Sequence, residues 1–275
     1  MKGQITRIIS NLYTVSVDDK KYDCHSRGKF RKENITPLVG DYVEFDPINN
    51  YILKVLPRKN TLLRPTVSNI DQAILVTSVK TPDFSTNLLD KLIATMEYYK
   101  VKPILCITKM DLISEEERRI IRDILEYYEG LGYSVYYNDE IDKIKKVFKD
   151  KTTVFTGQSG AGKSTLLNKL DPNLDLKVGE VSIALGRGRH TTRHVELIQM
   201  LGGKILDTPG FSNISFSHIP KEEIKDLFVE FKKYPCIYKD CNHLDESECI
   251  VKKMVRDNKI LASRYDNYIS ILKSR

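Results

Sequence analysis

The sequence contains no long apolar run. No segment of its 275 residues approaches the about 18 consecutive apolar residues that a membrane-spanning helix needs. The N-terminus also lacks the apolar stretch of a secretory signal peptide. We therefore expect a cytoplasmic protein with no membrane partner. Thiols stay reduced in that compartment, so the five cysteines are not expected to form disulfides, and Cys24 and Cys106 are interpreted as small buried residues.

An acidic excess is also absent, and the basic excess is unevenly distributed. The formal net charge is +7. Residues 1–65 carry 12 Lys and Arg against 7 Asp and Glu, residues 66–215 carry 20 against 20, and residues 216–275 carry 12 against 10. The excess therefore lies entirely in the two flanking parts of the chain. It favours contact with a polyanion, although it carries no information about the fold.

The first 65 residues have the alternating pattern of short β-strands, most cleanly over residues 39–45. Several short strands in so few residues predict a small β-barrel, with an OB-like barrel as the leading candidate. Between the strands lies the basic segment 27–32, which reads RGKFRK. An aromatic residue among cations is typical of a loop that binds nucleic-acid phosphates and stacks on a base. A solvated turn would have the same composition.

The pattern changes at about residue 66. Continuous apolar runs at 73–77 and 104–108 predict buried parallel strands. Helices are predicted at about 86–100 and 114–130, and further strands at 133–137, 152–156 and 204–207. Strands that alternate with helices indicate a parallel sheet covered on both faces. After residue 216 the chain is predicted to be helical and contains three of the five cysteines.

Residues 157–164 read GQSGAGKS and match the phosphate-binding pattern G-x-x-x-x-G-K-[ST] in full. A predicted strand precedes the motif and a helical stretch follows it, so the alternative of a glycine-rich turn at a helix cap is disfavoured. Gly157 and Gly162 let backbone N–H groups surround phosphate oxygens. Lys163 would neutralise the β- and γ-phosphates, and Ser164 would bind Mg²⁺. The predicted nucleotide contacts here are Gly157, Gln158, Ser159, Gly160, Ala161, Gly162, Lys163, Ser164 and Thr165.

A second phosphate-sensing motif follows about fifty residues later. Residues 207–210 read DTPG, the D-x-x-G pattern, at the end of a predicted strand. Asp207 suits a carboxylate linked to Mg²⁺, and the N–H group of Gly210 would sense the γ-phosphate. A simple turn would also read D-T-P-G, but its position downstream of a phosphate loop favours the functional interpretation.

Residues 108–111 read TKMD and resemble the N-K-x-D motif that reads guanine in GTPases. The carboxylate of Asp111 would accept hydrogen bonds from guanine N1–H and the 2-amino group, a donor pair that adenine lacks. Lys109 would lay its aliphatic stem along the base. Thr108 departs from the usual asparagine, and its hydroxyl makes fewer hydrogen bonds. The alternative is a lysine and an aspartate that end a strand and cap the next helix.

The order of these motifs is permuted. In ordinary GTPases the base-reading motif comes after the phosphate loop and D-x-x-G, whereas here it lies about fifty residues before the phosphate loop. The same sheet can form, because burial and pairing place strands regardless of chain order. Permutation requires only that the original termini lie close together. It also makes the D-x-x-G motif lead directly into the C-terminal part of the chain.

Four potential metal ligands lie within fourteen residues near the C-terminus, in the pattern C-x4-C-x-H-x5-C. Cys236, Cys241, His243 and Cys249 suit tetrahedral Cys₃His coordination of one Zn²⁺, and closed four-ligand sites are usually structural. A metal would fix a short segment that lacks a core of its own and let it present the surrounding basic residues to RNA. Reduced cysteines without a metal are the alternative.

This ordered set of motifs resembles the circularly permuted GTPases, and most closely the ribosome small subunit-dependent GTPase A family. The set comprises T-K-x-D, GQSGAGKS, GRHTT at 188–192, D-T-P-G and the Cys/His cluster, and the resemblance covers the whole chain. It implies an OB barrel, a permuted GTPase domain and a zinc module that act in late maturation of the small (30S) ribosomal subunit. GTP, GDP, the 30S subunit and its rRNA are the implied partners. Asn138 and Asp139 depart from the usual Ser-Ala-like base contact.

The residue that activates the attacking water is less evident. Many GTPases carry a glutamine just after D-x-x-G for this purpose, but the position is Phe211 here, so slow intrinsic hydrolysis is expected. The segment 187–193 lies where a mobile switch belongs. Thr191 or Thr192 would complete the Mg²⁺ coordination, and His190 is the candidate catalytic residue that would position water. A basic exposed loop without a catalytic residue is the alternative.

We therefore predict a multidomain protein: an N-terminal OB-like β-barrel that binds RNA (1–65), a central α/β P-loop GTPase domain with permuted motif order (66–215) and a C-terminal zinc-binding helical module (216–275). A monomer, it would hydrolyse GTP to GDP and phosphate with Mg²⁺, stimulated by the small subunit. A competing interpretation is a nucleotide-gated RNA- or protein-binding module with incidental hydrolysis. An ATP-dependent kinase would share the phosphate loop, but Asp111 and the lack of an obvious acceptor site argue against it.

Overall fold

The computed structural model describes residues 1–18, 20–28, 30, 33–63, 65–174, 195–207 and 215–274. The chain forms two compact units, each made of separate stretches. The first comprises Met1–Ile74, Asp139–Thr156 and Gly162–Phe211, and the second comprises Leu75–Asn138, Gly157–Ala161 and Ser212–Arg275. Within the described ranges, no helix is both long enough and apolar enough to span a bilayer.

The described strands are, in chain order, β1 (Lys2–Ile9), β2 (Leu12–Val17), β3 (Lys20–Ser26), β4 (Tyr42–Asp46), β5 (Tyr51–Val55), β6 (Thr61–Leu63), β7 (Thr66–Ser68), β8 (Gln72–Ser78), β9 (Lys102–Thr108), β10 (Ser134–Tyr137), β11 (Thr152–Gly157), β12 (Glu196–Met200) and β13 (Gly203–Asp207). The described α-helices are α1 (Thr86–Tyr98), α2 (Glu115–Gly130), α3 (Ile141–Lys146), α4 (Lys163–Leu170), α5 (Ile250–Arg256) and α6 (Ala262–Lys273). Short 3₁₀ turns lie at Met110–Leu112, Pro172–Leu174, Lys221–Leu227 and Phe231–Lys233.

The first five strands of unit 1 close into a barrel. They pair in the order β1-β2-β3-β5-β4, and β4 also pairs with β1. The β3–β5 pairing is parallel, and the other four pairings are antiparallel. The OB-like barrel predicted from the alternating pattern is thereby confirmed. Closure leaves no free edge between β1 and β4, and the apolar face of each strand turns inward.

Apolar side chains fill the barrel interior, and Phe30 is one of them. The buried set is Ile5, Tyr13, Val15, Cys24, Phe30, Val43, Phe45 and Ile52. Phe30 is only 5% exposed, so its ring cannot stack on a nucleobase. The interpretation of segment 27–32 as a loop that stacks through its own aromatic residue is therefore wrong. A phenylalanine ring is more stable inside an available core than in water, even between basic neighbours.

In the rest of unit 1, three further strands continue the sheet from the barrel. Strand β12 pairs with β1 at Glu196 and Arg7, and β12 and β13 form an antiparallel hairpin. Strand β13 pairs in parallel with β11, which leads to the phosphate loop. Lys204 of β13 donates to the side chain of the buried Gln4 in β1. The barrel and the strands that carry Asp207 thus share one continuous sheet.

In unit 2, the strand order β10-β9-β8 brings the strand that ends at Thr108 between its two neighbours. Ser114 caps α2 in a capping box with Glu117, which explains why the helix begins at residue 115. Helix α1 ends two residues earlier than predicted, because Lys100 turns out of the helix with a φ of +55°. Cys106 in β9 is buried, as expected.

The C-terminal part of unit 2 packs on helix α1. Its core includes Ala94 of α1 together with Phe228, Phe231, Tyr268 and Ile271. Beside this core, Arg264 of α6 is 1% exposed and forms ion pairs of 2.6 Å with both Asp90 and Glu230. Tyr128 and Asn267 donate to the oxygens of Asp90 at 2.6 Å. Charged and apolar contacts together fix α6 against α1.

Candidate functional site

The phosphate loop runs from the end of β11 to the start of α4. Gly157, Gly160 and Gly162 have φ angles of +145°, +77° and +92°. Glycine adopts such angles readily, whereas a residue with a Cβ atom is strained there. Gly162 is the N-cap of α4, and its carbonyl oxygen accepts from the N–H of Leu166 at 2.9 Å. The loop conformation therefore depends on the glycines of the motif.

Gly157 is also constrained by its neighbour in β8. A Cβ atom at this position would lie 2.1 Å from the carbonyl oxygen of Val76. That distance is far inside van der Waals contact, and the clashing atom belongs to a buried strand that cannot move aside. Gly157 is thus required both for its φ angle and for this close approach.

Lys163 and Ser164 are the first two residues of helix α4, so their polar side chains lie at the helix N-terminus. Burial lowers the pKa of the Lys163 ammonium below its usual value, because the charged form loses hydration. Phosphate oxygens would replace that hydration and restore the preference for the charged form. A hydroxyl in the first turn, as at Ser164, is the ligand type that phosphate-loop proteins offer to Mg²⁺.

The base-reading motif at the end of β9 holds the neighbouring part of the phosphate loop. Thr108 is buried, and its Oγ1 donates to the carbonyl oxygen of Ala161 at 2.7 Å. Lys109 has a left-handed φ of +64°, and its Nζ donates to the carbonyl oxygen of Gly160 at 2.8 Å and to that of Thr81. Two segments that lie about fifty residues apart in sequence are therefore joined by hydrogen bonds.

These bonds account for the threonine that replaces the usual asparagine. The Thr108 hydroxyl donates one hydrogen bond to a carbonyl of the phosphate loop, and this contact requires only a single donor. Asp111 lies in the short 3₁₀ turn at Met110–Leu112 and is exposed to solvent. Arg118 donates to the carbonyl oxygen of Met110 at 2.9 Å and fixes this turn. The carboxylate is thus presented on a braced turn at the carboxyl end of β9.

The loop that departs from the resembled family lies beside this turn. The N–H of Asn138 donates to the carbonyl oxygen of Ile107 at 3.0 Å, which places Asn138 at the same end of the sheet as Thr108. Any base contact from Asn138 or Asp139 stays a prediction.

Sequence reasoning missed the loop between β8 and α1. Its Thr81 carbonyl accepts from Lys109, and Pro82 lies 3.6 Å from where a Cβ of Gly160 would be. Only the topology could have identified this loop as part of the site. It follows the carboxyl end of β8, and α/β proteins bind ligands where the loops at the carboxyl ends of neighbouring strands come together. The Thr-Pro pair itself carries no phosphate-binding pattern.

Several predicted residues fall outside the described part of the chain. They are Phe211 and the switch residues His190, Thr191 and Thr192, together with Gly210 of the D-x-x-G motif. Asp207 is the last residue of β13, and its backbone pairs with Glu196 of β12.

The four predicted zinc ligands near the C-terminus lie close together. Their ligand atoms lie within 4.8 Å of one another. The Nδ1 atom of His243 is 3.5 Å from the sulfur of Cys236 and 3.4 Å from the sulfurs of Cys241 and Cys249. The sulfurs of Cys236 and Cys249 are 3.8 Å apart. A tetrahedron with Zn–S bonds of about 2.3 Å and a Zn–N bond of about 2.0 Å has S···S and S···N edges of about 3.8 and 3.5 Å. The cluster therefore fits a zinc site.

Surrounding hydrogen bonds hold the ligands in place. Glu246 accepts from the N–H groups of Asn242 and Leu244 at 2.7 Å, which shapes the turn that carries His243. The Tyr265 hydroxyl donates to the carbonyl oxygen of His243 at 2.7 Å. Such outer contacts orient ligands before a metal binds.

The three thiols of the cluster differ in protonation. Although burial alone would raise the pKa of the Cys236 thiol, hydrogen bonds from the backbone of Val251 and Ile250 lower it overall. Burial raises the pKa of the Cys241 thiol to about 12 and also raises that of Cys249. Burial likewise lowers the pKa of His243, with a smaller contribution from Lys225, so its imidazole is neutral and can ligate. A divalent ion that binds here would displace the thiol protons, and the resulting thiolates would neutralise its charge.

Two family models match this chain. The model described as RsgA GTPase matches residues 55–217, and the model described as RsgA N-terminal domain matches residues 2–52. Together they span the barrel, the base-reading motif and the phosphate loop. The predicted resemblance is thereby confirmed.

Curated relatives match over nearly the whole chain. The small ribosomal subunit biogenesis GTPase RsgA 2 of Listeria monocytogenes is 48% identical, and the alignment covers 99% of this chain and 97% of the relative. The small ribosomal subunit biogenesis GTPase RsgA of Enterococcus faecalis is 44% identical, with 99% and 94% covered.

Solved structures match the fold. YloQ, described as a circularly permuted GTPase, has a TM-score of 0.84 at 40% identity, and the match covers 99% of this chain and 93% of YloQ. YjeQ from Thermotoga maritima has a TM-score of 0.87 at 37% identity, with 99% and 97% covered. The permuted motif order read from the sequence is therefore shared with a solved GTPase.

Proposed function

Because this chain belongs to the RsgA GTPase family, we propose that it hydrolyses GTP on the small ribosomal subunit and assists late maturation of that subunit. The observation that carries the proposal is the pair of hydrogen bonds from Thr108 and Lys109 to the carbonyls of Ala161 and Gly160. They join a guanine-reading motif to a phosphate loop in a permuted chain. The ribosomal part of the proposal is based on the relatives named above, whose names refer to biogenesis of the small subunit.

Guanine is selected by Asp111 in this proposal. Its carboxylate accepts from N1–H and the 2-amino group of guanine, whereas adenine presents an acceptor at N1 and has no 2-amino donor. The mismatch would leave a carboxylate facing a lone pair, which disfavours ATP. The Lys109 stem covers one face of the base while its ammonium group stays on the phosphate loop.

The triphosphate is held by residues 157–165 of the phosphate loop. Backbone N–H groups around the glycines surround the phosphate oxygens, and the Lys163 ammonium neutralises charge on the β- and γ-phosphates. Ser164, Asp207 and either Thr191 or Thr192 are the proposed ligands of Mg²⁺. That ion, when bound, supplies positive charge that stabilises the oxygens of the departing phosphate.

Hydrolysis requires a group that orients water. Phe211 stands where many GTPases have a glutamine, so His190 is proposed as the water-positioning residue and the N–H of Gly210 as the γ-phosphate sensor. Because no glutamine follows D-x-x-G, turnover of the isolated protein is expected to be slow. Binding to the small subunit is proposed to accelerate hydrolysis.

The two flanks bind rRNA. The barrel segment has 12 basic against 7 acidic residues, and the C-terminal segment has 12 against 10. Phosphate contacts would supply most of the affinity, and the shape of the RNA most of the recognition. One structural Zn²⁺ on Cys236, Cys241, His243 and Cys249 would stabilise the C-terminal segment. The proposed site of action is the cytoplasm, where the protein acts as a monomer.

The test is hydrolysis of GTP and of ATP by the purified protein, each with and without 30S subunits. GTP-selective turnover that rises several-fold with 30S subunits supports the proposal. Equal turnover with and without subunits removes the ribosomal stimulation and leaves the GTPase. Equal hydrolysis of GTP and ATP contradicts the role of Asp111.

A Lys163→Ala variant is the matched control for contaminating nucleotidases. It keeps the fold of α4 because alanine is a good helix former, and it should lose hydrolysis with and without subunits. Residual activity in this variant measures the background to subtract.

A further inference from the structure

A row of side chains crosses one outer face of the barrel. Leu12 of β2 is opposite His25 of β3, and His25 is opposite Tyr51 of β5. Directly opposed residues in a sheet point to the same face, so these three side chains lie together. Tyr51 is 41% exposed, and His25 is exposed beside it with a distance of 6.5 Å between the ring centroids. His25 and Tyr51 thus form an aromatic surface that is open to solvent, beside the half-buried Leu12.

A cation lies against this surface. The guanidinium carbon of Arg27 is 6.0 Å from the centroid of the Tyr51 ring, which is the range of a cation–π contact. Asp46, opposite Tyr51 on β4, already accepts hydrogen bonds from the N–H groups of Ile48 and Asn49 and from the Asn49 side chain. Its carboxylate is thus hydrogen-bonded within the turn between β4 and β5, and the Arg27 charge makes a smaller contribution to lowering its pKa. Arg27 itself is exposed, and a guanidinium carries five N–H donors.

We propose that Tyr51, His25 and Arg27 form a binding site for one unpaired RNA base and its adjoining phosphate. The two rings supply the stacking surface, and the Arg27 guanidinium binds the phosphate. Every base has a π-face, so the site tolerates sequence but requires an unstacked, single-stranded nucleotide. The inference deepens the proposed ribosomal function and rests on it, since the small subunit supplies the RNA.

Charge favours RNA over a protein partner at this face. Residues 1–65 carry 12 basic against 7 acidic residues, which attracts a polyanion. The site also replaces the role that the sequence assigned to Phe30. That ring is buried in the barrel core, whereas the parallel pairing of β3 with β5 brings Tyr51 next to the start of the basic segment 27–32.

The first test measures binding of a fluorescein-labelled single-stranded RNA of about 10 nucleotides by fluorescence anisotropy, with the duplex of the same sequence as comparison. Tyr51→Ala should weaken single-strand binding about 5- to 150-fold, the range for loss of one base–aromatic stack. Tyr51→Phe keeps the ring and should bind like the wild type. Tyr42→Ala is the matched control and should also bind normally. Tyr42 is similarly exposed, but it lies at the start of β4, at the end of that strand away from Tyr51.

Salt dependence separates stacking from charge. Arg27→Ala should reduce the slope of log affinity against log salt by about 0.7, the value for one phosphate contact on a single strand. Tyr51→Ala should lower the affinity at every salt concentration and leave the slope unchanged. A changed slope in Tyr51→Ala would mean that the tyrosine acts only by positioning Arg27, and it would overturn the stacking role.

A third measurement distinguishes this site from the ribosomal function. Basal GTP hydrolysis of Tyr51→Ala should equal that of the wild type, while binding to 30S subunits weakens. If Tyr51→Ala binds both the oligonucleotide and 30S subunits normally, the stacking site is wrong and the ribosomal function stands. If the wild-type protein neither binds nor responds to 30S subunits, the ribosomal function itself fails. Equal wild-type affinity for single-stranded and duplex RNA also overturns the site.

Discussion

At the scale of single residues, backbone carbonyl groups connect the TKMD motif to the phosphate loop within the proposed nucleotide site. Thr108 and Lys109 donate to the carbonyl oxygens of Ala161 and Gly160, and Lys109 also donates to Thr81. Side chains from one motif thereby fix the backbone of another. Substitutions in the base-reading motif are expected to affect phosphate binding as well as base choice.

Replacing Gly157 by alanine should weaken nucleotide binding. The new Cβ would lie 2.1 Å from the Val76 carbonyl oxygen at a φ of +145°, so the loop must move. We expect GTP affinity to fall about 5- to 150-fold, from strain of about 1–3 kcal/mol. Fluorescent GTP titration measures it. Gly130→Ala is the matched control, because nothing lies within 4 Å of its Cβ position, and normal binding is expected there.

Replacing Asp111 by asparagine should change the base preference from guanine to xanthine. An amide offers one donor and one acceptor, which matches the 2-oxo group and N1–H of xanthine and mismatches the two donors of guanine. Loss of a charged hydrogen bond of about 1.5–3 kcal/mol predicts a 10- to 100-fold fall in kcat/KM for GTP. Hydrolysis of GTP and XTP is compared. Asp123→Asn, which removes an exposed charge from α2, should keep the GTP preference.

At the scale of elements, the sequence predicted those with strong local signals. The apolar runs predicted β8 and β9, and the Ser114 capping box lies where α2 begins. Strand β12 was not predicted. Its hairpin turn uses Leu201 and Gly202 with φ angles of +55° and +73°, and a left-handed leucine carries no turn signal. Tertiary pairing, which local sequence does not encode, stabilises that strand.

The same limit applies to the candidate sites. The phosphate loop and the Cys/His cluster are continuous patterns whose spacing fixes their chemistry, so the residues could be identified directly. Thr81 and Tyr51 carry no pattern, and only strand order and register bring them to Lys109 and Arg27. Phe30 was misinterpreted because a basic segment does not reveal which of its side chains faces the core.

The packing of α6 on α1 predicts a large effect for Arg264→Met. Removing the guanidinium leaves Asp90 and Glu230 buried without a counter-charge, which costs about 3–5 kcal/mol. The free energy of unfolding, measured by urea titration, should fall by that amount. Arg256→Met in α5, where the side chain is exposed, should change it by less than about 0.5 kcal/mol. A similar value for both variants would contradict the structural importance of the buried pair.

Zinc removal should unfold the C-terminal segment first. Cys249 is a candidate ligand and also caps α5, accepting from the N–H of Lys252. Cys249→Ser is expected to lose zinc and to lower the thermal midpoint of this segment. Metal content by mass spectrometry and helix content by circular dichroism measure the two effects. Cys24→Ala, in the barrel core, should retain one zinc per chain, and zinc loss in both variants would contradict the assignment.

At the scale of the whole molecule, the chain returns repeatedly to each compact unit. Unit 1 contains three separate stretches of sequence, and so does unit 2. Composition and periodicity locate where the pattern changes along the chain, at about residues 66 and 216. They do not indicate which later strand rejoins an earlier sheet. The linear domain bounds therefore stay predictions.

The basic flanks predict a strong salt dependence of subunit binding. Each phosphate that a Lys or Arg neutralises releases counterions, so affinity for 30S subunits should fall steeply between low and physiological salt. Binding is measured by sedimentation at several salt concentrations. Intrinsic GTP hydrolysis, which does not involve the flanks, should vary little over the same range. Parallel losses of both would indicate salt-induced unfolding instead.

The pairing of β1 with β12 can form only late in synthesis of the chain. Arg7 pairs with Glu196, so this part of β1 cannot pair with β12 until residue 196 has been synthesised. At about 5–20 residues per second, the interval on a translating ribosome is about 10–40 s. During that interval the strand edge beyond the barrel seam presents unpaired backbone groups to other nascent chains. An isolated N-terminal fragment would keep that edge permanently, and we expect it to self-associate more readily than the full-length protein.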